Sequence, residues 1–264
     1  MTDKLRSLTE LTEYVQPGHT LGLGGLMLYR RPVAFVRELI RVRPDLRDLT
    51  LLNITASYES DLLVGAGLIG TTRTCYFGLE IFGLAPMFTS AAQAGTLNVI
   101  EETEASLAFG IRAALAGVGF MPGLGWLGTD LPNVRPDVKT VVDPYSGETL
   151  IAFPAIHCDV AVIHALEADP TGNAVIGRNM GIDLELAMLA THTLITAETI
   201  VPKLTQADIP AAAVSAVAHT PNGAWPTSCH PLYMLNGGEI LNYIEACASP
   251  EQFAAYVQAT TQPT

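Results

Sequence analysis

Basic residues are scarce in this 264-residue chain: 14 Lys and Arg stand against 26 Asp and Glu, a formal net charge of −12. A surface of that sign is repelled by nucleic acid and by anionic membranes, so neither is expected as a partner. The four cysteines, Cys75, Cys158, Cys229 and Cys247, form no CxxC pair, and no signal peptide opens the chain. Reduced thiols in a cytoplasmic protein follow. The six histidines show no H-x-x-x-H spacing, which speaks against a metal site. No G-K-[ST] is present for a Walker loop, and no G-x-S-x-G elbow for Ser/His/Asp hydrolysis. Although 49% of the residues are hydrophobic and mean hydropathy is +0.32, no apolar run is long enough to span a membrane. A large α/β core and a subunit interface would absorb the excess.

What is present centres on TLGLGGLMLYRR, residues 20–31. Thr20–Leu23 reads as a buried strand, Gly24–Gly25 as a tight turn, and Pro32–Arg43 as a helix with proline at its first position. Backbone N–H groups gathered at a helix start suit a phosphate, a carboxylate or a developing oxyanion. A dinucleotide is disfavoured. Met27 stands where G-x-G-x-x-G needs its last glycine, and the second strand, Leu49–Leu52, ends at Asn53 rather than at an acid. A connection that merely packs strand against helix is the simpler reading. Arg30 and Arg31 suit a carboxylate or phosphate, while Arg37 and Arg41, four apart, suit a solvated helix face.

Further along, helices are expected over 4–15, 60–66, 86–94, 101–117 and 183–190, with two more from Gly237 onward. Strands are expected over 72–77, 97–100, 148–153, 159–165, 174–176, 193–197 and 213–219. Phe120–Val134 reads as an apolar but irregular loop, of the kind that lines sites. The alternation predicts one α/β domain over 1–264 with an open, mostly parallel sheet and helices on both faces.

Two acids draw attention. On a helix, Glu104 shares a stripe with Ala108, Ile111 and Leu115, so its carboxylate is expected against the core, where desolvation raises a pKa and suits a general acid or base. Alternatively, Glu101, Glu102 and Glu104 simply complement the helix dipole. Glu80 lies in the loop after a strand, where open α/β sheets bind ligands, or is an exposed acid on a turn. Cys229 beside His230 is expected to be a structural thiol, since adjacent residues seldom aim at one another.

Taken in order, LGLGGLMLYRRPVAFVREL (21–39), GLEIFGLAP (78–86), GTLNVIEETEASLAFGIRAALAGVGFMP (95–122), GLGWLGTDL (123–131), DVAVIHALEADPTGN (159–173) and WPTSCHPLY (225–233) resemble the A (alpha) subunit of class I CoA-transferases, glutaconate CoA-transferase type. The resemblance implies a homologous beta subunit, in an αβ or α2β2 assembly, that supplies a glutamate nucleophile. That chain would form acyl-enzyme and enzyme–CoA intermediates as CoA moves from an acyl-CoA to a carboxylic acid. Coenzyme A would be part of the substrate, with no permanently bound cofactor.

The same resemblance assigns Gly24, Gly25 and Leu26 to the oxyanion or CoA and lets Phe77, Gly78, Glu80 and Gly128 shape the acyl pocket. Arg30 or Arg31 would anchor the distal carboxylate of a dicarboxylate monothioester. Relatives on this fold that open a ring hydrolytically, or decarboxylate, make Glu104 the alternative catalytic group. A subunit that only binds CoA esters is a third reading.

Overall fold

The structure is a computed structural model and describes residues 2–262. Residues 4–6 run extended along the last strand of the sheet. Leu5 bridges Val217, and the Lys4 ammonium donates to the carbonyls of Ala211 and Val214. The first helix, α1 (Leu8–Thr12), is therefore shorter than the expected 4–15, and Ser7 starts it with a capping box to Glu10. There follow β1 (Thr20–Leu23), α2 (Val33–Val42), β2 (Leu49–Leu52), β3 (Thr55–Ala56), α3 (Tyr58–Gly65), β4 (Ile69–Thr74) and β5 (Tyr76–Phe77). Next are α4 (Pro86–Gln93), β6 (Asn98–Glu101), α5 (Glu104–Leu115), β7 (Phe120–Gly123), α6 (Leu131–Val134), β8 (Lys139–Val142) and β9 (Thr149–Pro154). The chain closes with β10 (Val160–Ala168), β11 (Ala174–Val175), α7 (Asp183–Leu189), β12 (His192–Ile200), β13 (Ala216–His219), α8 (Gly237–Ala246) and α9 (Pro250–Thr260).

The main sheet has the order β13-β12-β10-β1-β2-β4-β6 with every neighbour parallel, and β11 pairs antiparallel with the end of β10. The chain starts at the centre with β1, builds outward through β2, β4 and β6, then returns to the other side of β1. Strand order thus reverses between β1 and β10. In open α/β sheets a crevice forms at the carboxyl ends of such a pair.

Both faces of the sheet are covered, as the alternation of side chains shows. Leu21, Leu23, Val160 and Val162 pack with α2, α3, α8 and α9, whereas Ala161 and Cys158 meet Leu107, Ile111 and Leu186 of α5 and α7. A Cβ at Gly22 would lie 3.0 Å from Cys158 Sγ and 3.1 Å from Leu186, so the strand needs a glycine where α7 crosses.

Two expectations fail here for physical reasons. The stretch 120–134 is not irregular: β7 pairs antiparallel with β9, and β9 with β8, in a separate three-stranded sheet. β7 carries Pro122 and Gly123, which disguise a strand in the sequence but are tolerated because β7 lies at an edge. The expected helix 101–117 begins only at Glu104. Glu101 ends β6, and Thr103 caps the helix, accepting from the Ser106 N–H while the Ser106 hydroxyl accepts from Thr103 N–H.

Candidate functional site at the carboxyl ends of the central strands

The glycine turn emerges from β1 at the β1/β10 crevice. Gly25 has φ +87°, and a Cβ there would meet the carbonyl oxygens of Tyr29 at 2.6 Å and Arg30 at 2.7 Å, so only glycine fits. Leu26 and Tyr29 exchange backbone hydrogen bonds, forming a small hairpin with Met27 in the left-handed region at φ 54°. The N–H groups expected to face an oxyanion are already used within the chain. Gly24 N–H donates to the Val162 carbonyl at 2.9 Å, Gly25 to Asp183 Oδ1 at 2.9 Å, Leu26 to the Tyr29 carbonyl at 3.1 Å and Met27 to Thr55 Oγ1 at 2.8 Å. In this conformation Gly24, Gly25 and Leu26 shape the crevice wall rather than offer free donors.

Arg30 and Arg31 are not substrate anchors here. Both are fully buried, Arg30 paired with Asp183 and Arg31 with Glu59, each at 2.5 Å. Two adjacent arginines inside LMLYRRPVAF, an otherwise apolar stretch, are desolvated with it and must find acids from elsewhere in the fold. Those acids are far away in sequence, and nothing local marks them as partners. Arg37 also leaves the solvated face, lying over the Tyr58 and Trp225 rings and donating to Tyr58 Oη at 2.8 Å. Arg41 does pair at the surface, with Glu38.

Along the sheet, the acid drawn inward is Glu102. It is 3% exposed, pairs with Arg73 at 2.6 Å and Arg135 at 3.2 Å, and accepts from the Ser106 hydroxyl. Glu104, by contrast, is exposed at the first position of α5. The stripe expected to bury it is broken: Ile111 is buried, but Leu115 is 43% exposed. Thr103 ties this helix start to the loop after β7 by accepting from Trp126 Nε1 at 3.0 Å, which places Gly128 nearby in sequence on the same loop. Cys75 lies between the two regions. Its thiol donates to the Ile54 carbonyl at 2.8 Å, and burial, with help from Glu104, pushes it up to about 11.

The loop after β5 holds the remaining candidates. Phe77 stacks on Phe88 with centroids 4.1 Å apart. Gly78 is buried, and a Cβ there would lie 2.6 Å from Tyr76 Oη. Glu80 adopts φ 58°, and its Oε1 is buried without a partner among the described residues. Gly128 is at φ +78° in open surroundings. Around these positions the rim is apolar, with Ile81 92%, Leu84 72%, Leu124 61% and Met234 75% exposed.

Sequence reasoning missed a buried network on the other side of β1. His164 Nε2 meets Glu198 Oε1 at 2.8 Å, His164 Nδ1 meets Thr196 Oγ1 at 2.9 Å, and Glu198 also accepts from Tyr233 Oη and the Asn222 N–H. Burial lowers the His164 pKa. Burial opposes the Glu198 charge, but its donors outweigh it and the net shift is downward. The ligating atoms of His164, Glu198 and Cys229 lie within 4.8 Å of one another. They are spent on hydrogen bonds, and burial pushes the Cys229 thiol up to about 12, so the cluster is a neutral-thiol network in this state. Arg30 Nη1 donates to the His164 carbonyl, which joins the network to the glycine turn.

A parallel sheet that reverses its order beside a glycine turn, with acids at the strand ends, defines an α/β protein that binds ligands at those ends. The chain belongs to the coenzyme A transferase family, whose model matches residues 5–218. It is 33% identical to the A subunit of 3-oxoadipate CoA-transferase from Pseudomonas knackmussii, covering 87% of this chain and 83% of that one. Glutaconate coenzyme A-transferase of Acidaminococcus fermentans superposes with TM-score 0.89 and 28% identity, covering 97% of this chain and 88% of that one. The chain is also 29% identical to the cholesterol ring-cleaving hydrolase IpdA subunit of Rhodococcus jostii, covering 97% of this chain and 90% of that one. Among the described residues, no helix is long and apolar enough to cross a membrane.

Proposed function

We propose that this chain is the alpha subunit of a heteromeric CoA-transferase, moving CoA between an acyl-CoA and a carboxylic acid. A homologous beta subunit supplies the glutamate nucleophile, in an αβ or α2β2 assembly. The observation that carries the reading is the apolar rim, Ile81, Leu84, Leu124 and Met234, around the mouth of a chain whose relatives are alpha-type subunits. Exposed apolar side chains gathered at one end of a sheet are the mark of a surface that another chain covers. This chain then contributes one wall: the glycine turn, the Phe77–Gly78–Glu80 loop, the loop containing Gly128, and Glu104 projecting into the mouth. Coenzyme A enters as part of the substrate. With Arg30 and Arg31 committed to buried pairs, any distal carboxylate of the acyl group is met by other groups.

The test is to co-express the chain with its homologous beta subunit and follow acyl-CoA consumption. Transfer requires an added carboxylic acid. Consumption with water alone turns the assignment to hydrolysis, and CO₂ release turns it to decarboxylation.

A second reading, ring-opening hydrolysis with Glu104 as general acid or base, is favoured by the exposure of Glu104 and by the 29% identity to the ring-cleaving subunit. In that case a partner without a nucleophilic glutamate supports turnover equally well.

A further inference from the structure

We infer that Asp183 is a positioning residue for the reaction, acting through the Gly25 peptide without touching substrate; the inference rests on the glycine turn forming a wall of the reaction site. The Gly25 N–H donates to Asp183 Oδ1 at 2.9 Å, and the Gly25 carbonyl accepts from Arg31 Nη1 at 2.9 Å. The second Asp183 oxygen pairs with Arg30, and the other end of the Arg31 guanidinium pairs with Glu59. Each polar group of one glycine is therefore held by a different ion pair, and all four charged side chains are fully buried. Gly24 packs so tightly against this carboxylate that a Cβ there would lie 2.8 Å from Asp183 Oδ1.

Stability does not account for this construction. Burying two ion pairs costs desolvation that apolar side chains of similar volume would avoid. Arg30 and Arg31 each also leave Nε without an acceptor among the described residues. What the pairs secure is direction. A residue free to adopt either sign of φ is fixed at +87°, and the hairpin that follows leaves β1 at one angle into the β1/β10 crevice. Asp183 can do this because it opens α7 on the far side of β10, so its carboxylate reaches the turn across the crevice. Reacting groups must be held to a fraction of an ångström, and a shift of about 1 Å lowers rate about 100-fold.

The experiment uses the complex with its partner subunit and measures kcat, KM for acyl-CoA, thermal midpoint, and amide exchange of the segment containing Gly25. Asp183→Ala lowers kcat about 100-fold with KM and assembly retained, and the Gly25 segment exchanges faster. Asp183→Asn keeps an acceptor for the Gly25 N–H but loses the charge opposite Arg30, so it recovers most of kcat while its thermal midpoint stays low. A merely structural role would lower the midpoint in both variants and leave kcat untouched, and that result overturns the inference. Should Asp183→Ala fail to assemble, Asp183→Glu keeps the charge but displaces the acceptor by a methylene; a wild-type kcat there also overturns it. If the wild-type complex turns over no acyl-CoA, the functional reading fails on its own. Exchange at Gly25 still decides the clamp, and unchanged exchange in Asp183→Asn and Asp183→Glu refutes it.

Discussion

Two regions at the same end of the sheet bury carboxylates under arginines, and they do so to different ends. At the β1/β10 crevice, Asp183 and Glu59 pair with Arg30 and Arg31, and every polar group turns inward onto the Gly25 peptide. At the β6/α5 edge, Glu102 pairs with Arg73 and Arg135, and its neighbour two residues on, Glu104, turns out to solvent. The first region fixes backbone. The second fixes the start of a helix and leaves one carboxylate available. Burial of charge at the strand ends thus sets geometry, and chemistry is left to the residue beside it.

The strongest perturbation breaks the second region at its base. Glu102→Ala leaves Arg73 and Arg135 facing each other without an acid, which costs about 3–5 kcal/mol and is read from the shift in denaturant midpoint.

A comparable effect separates acids with and without a cation. Asp61 is buried, accepts from Phe88 N–H at 2.6 Å, Met87 N–H at 3.2 Å and Tyr243 Oη at 2.7 Å, and has no arginine or lysine partner among the described residues. Burial pushes its pKa up to about 6 from 3.8, with Glu59 adding to the shift. The folded state then binds the proton more tightly than the unfolded one. This contribution to stability is largest below pH about 4, declines as pH rises to about 6, and is flat above, by about 3 kcal/mol in all. Asp61→Asn removes that slope, which parallel pH series of the unfolding free energy would show.

Glu104→Gln is the converse of Glu102→Ala. It leaves the thermal midpoint where it is and lowers turnover of the complex about 100-fold, provided the carboxylate acts as acid or base. Unchanged turnover with acyl-CoA affinity retained would return this chain to a purely binding role. Smallest of all, Glu38→Ala removes an exposed pair with Arg41 and leaves the thermal midpoint unmoved, because such pairs contribute little.

Much of the frame is legible in the chain itself. β1 and β2 fall at the expected residues, because buried parallel strands read as short apolar runs bounded by turn signals. The glycine turn falls where expected for the same local reason. The burial of Arg30 and Arg31 has a signal, their apolar surroundings, but their partners Asp183 and Glu59 lie 153 and 28 residues away. Glu104 departs from its stripe because the helix starts late. The capping box at Thr103 makes Glu104 the first residue of α5, where no preceding turn encloses its side chain. β8 has no clear signal, since Lys139–Val142 is a short edge strand that packs on one side only.

The alternation of strands and helices, the two-faced sheet and the glycine turn are written locally, because each rests on periodicity or on backbone freedom within a few residues. Which acids are buried and which face solvent is settled by tertiary packing alone. That choice depends on where distant chain segments deliver an arginine, and the free energy of a charge is set by the neighbours that replace its water.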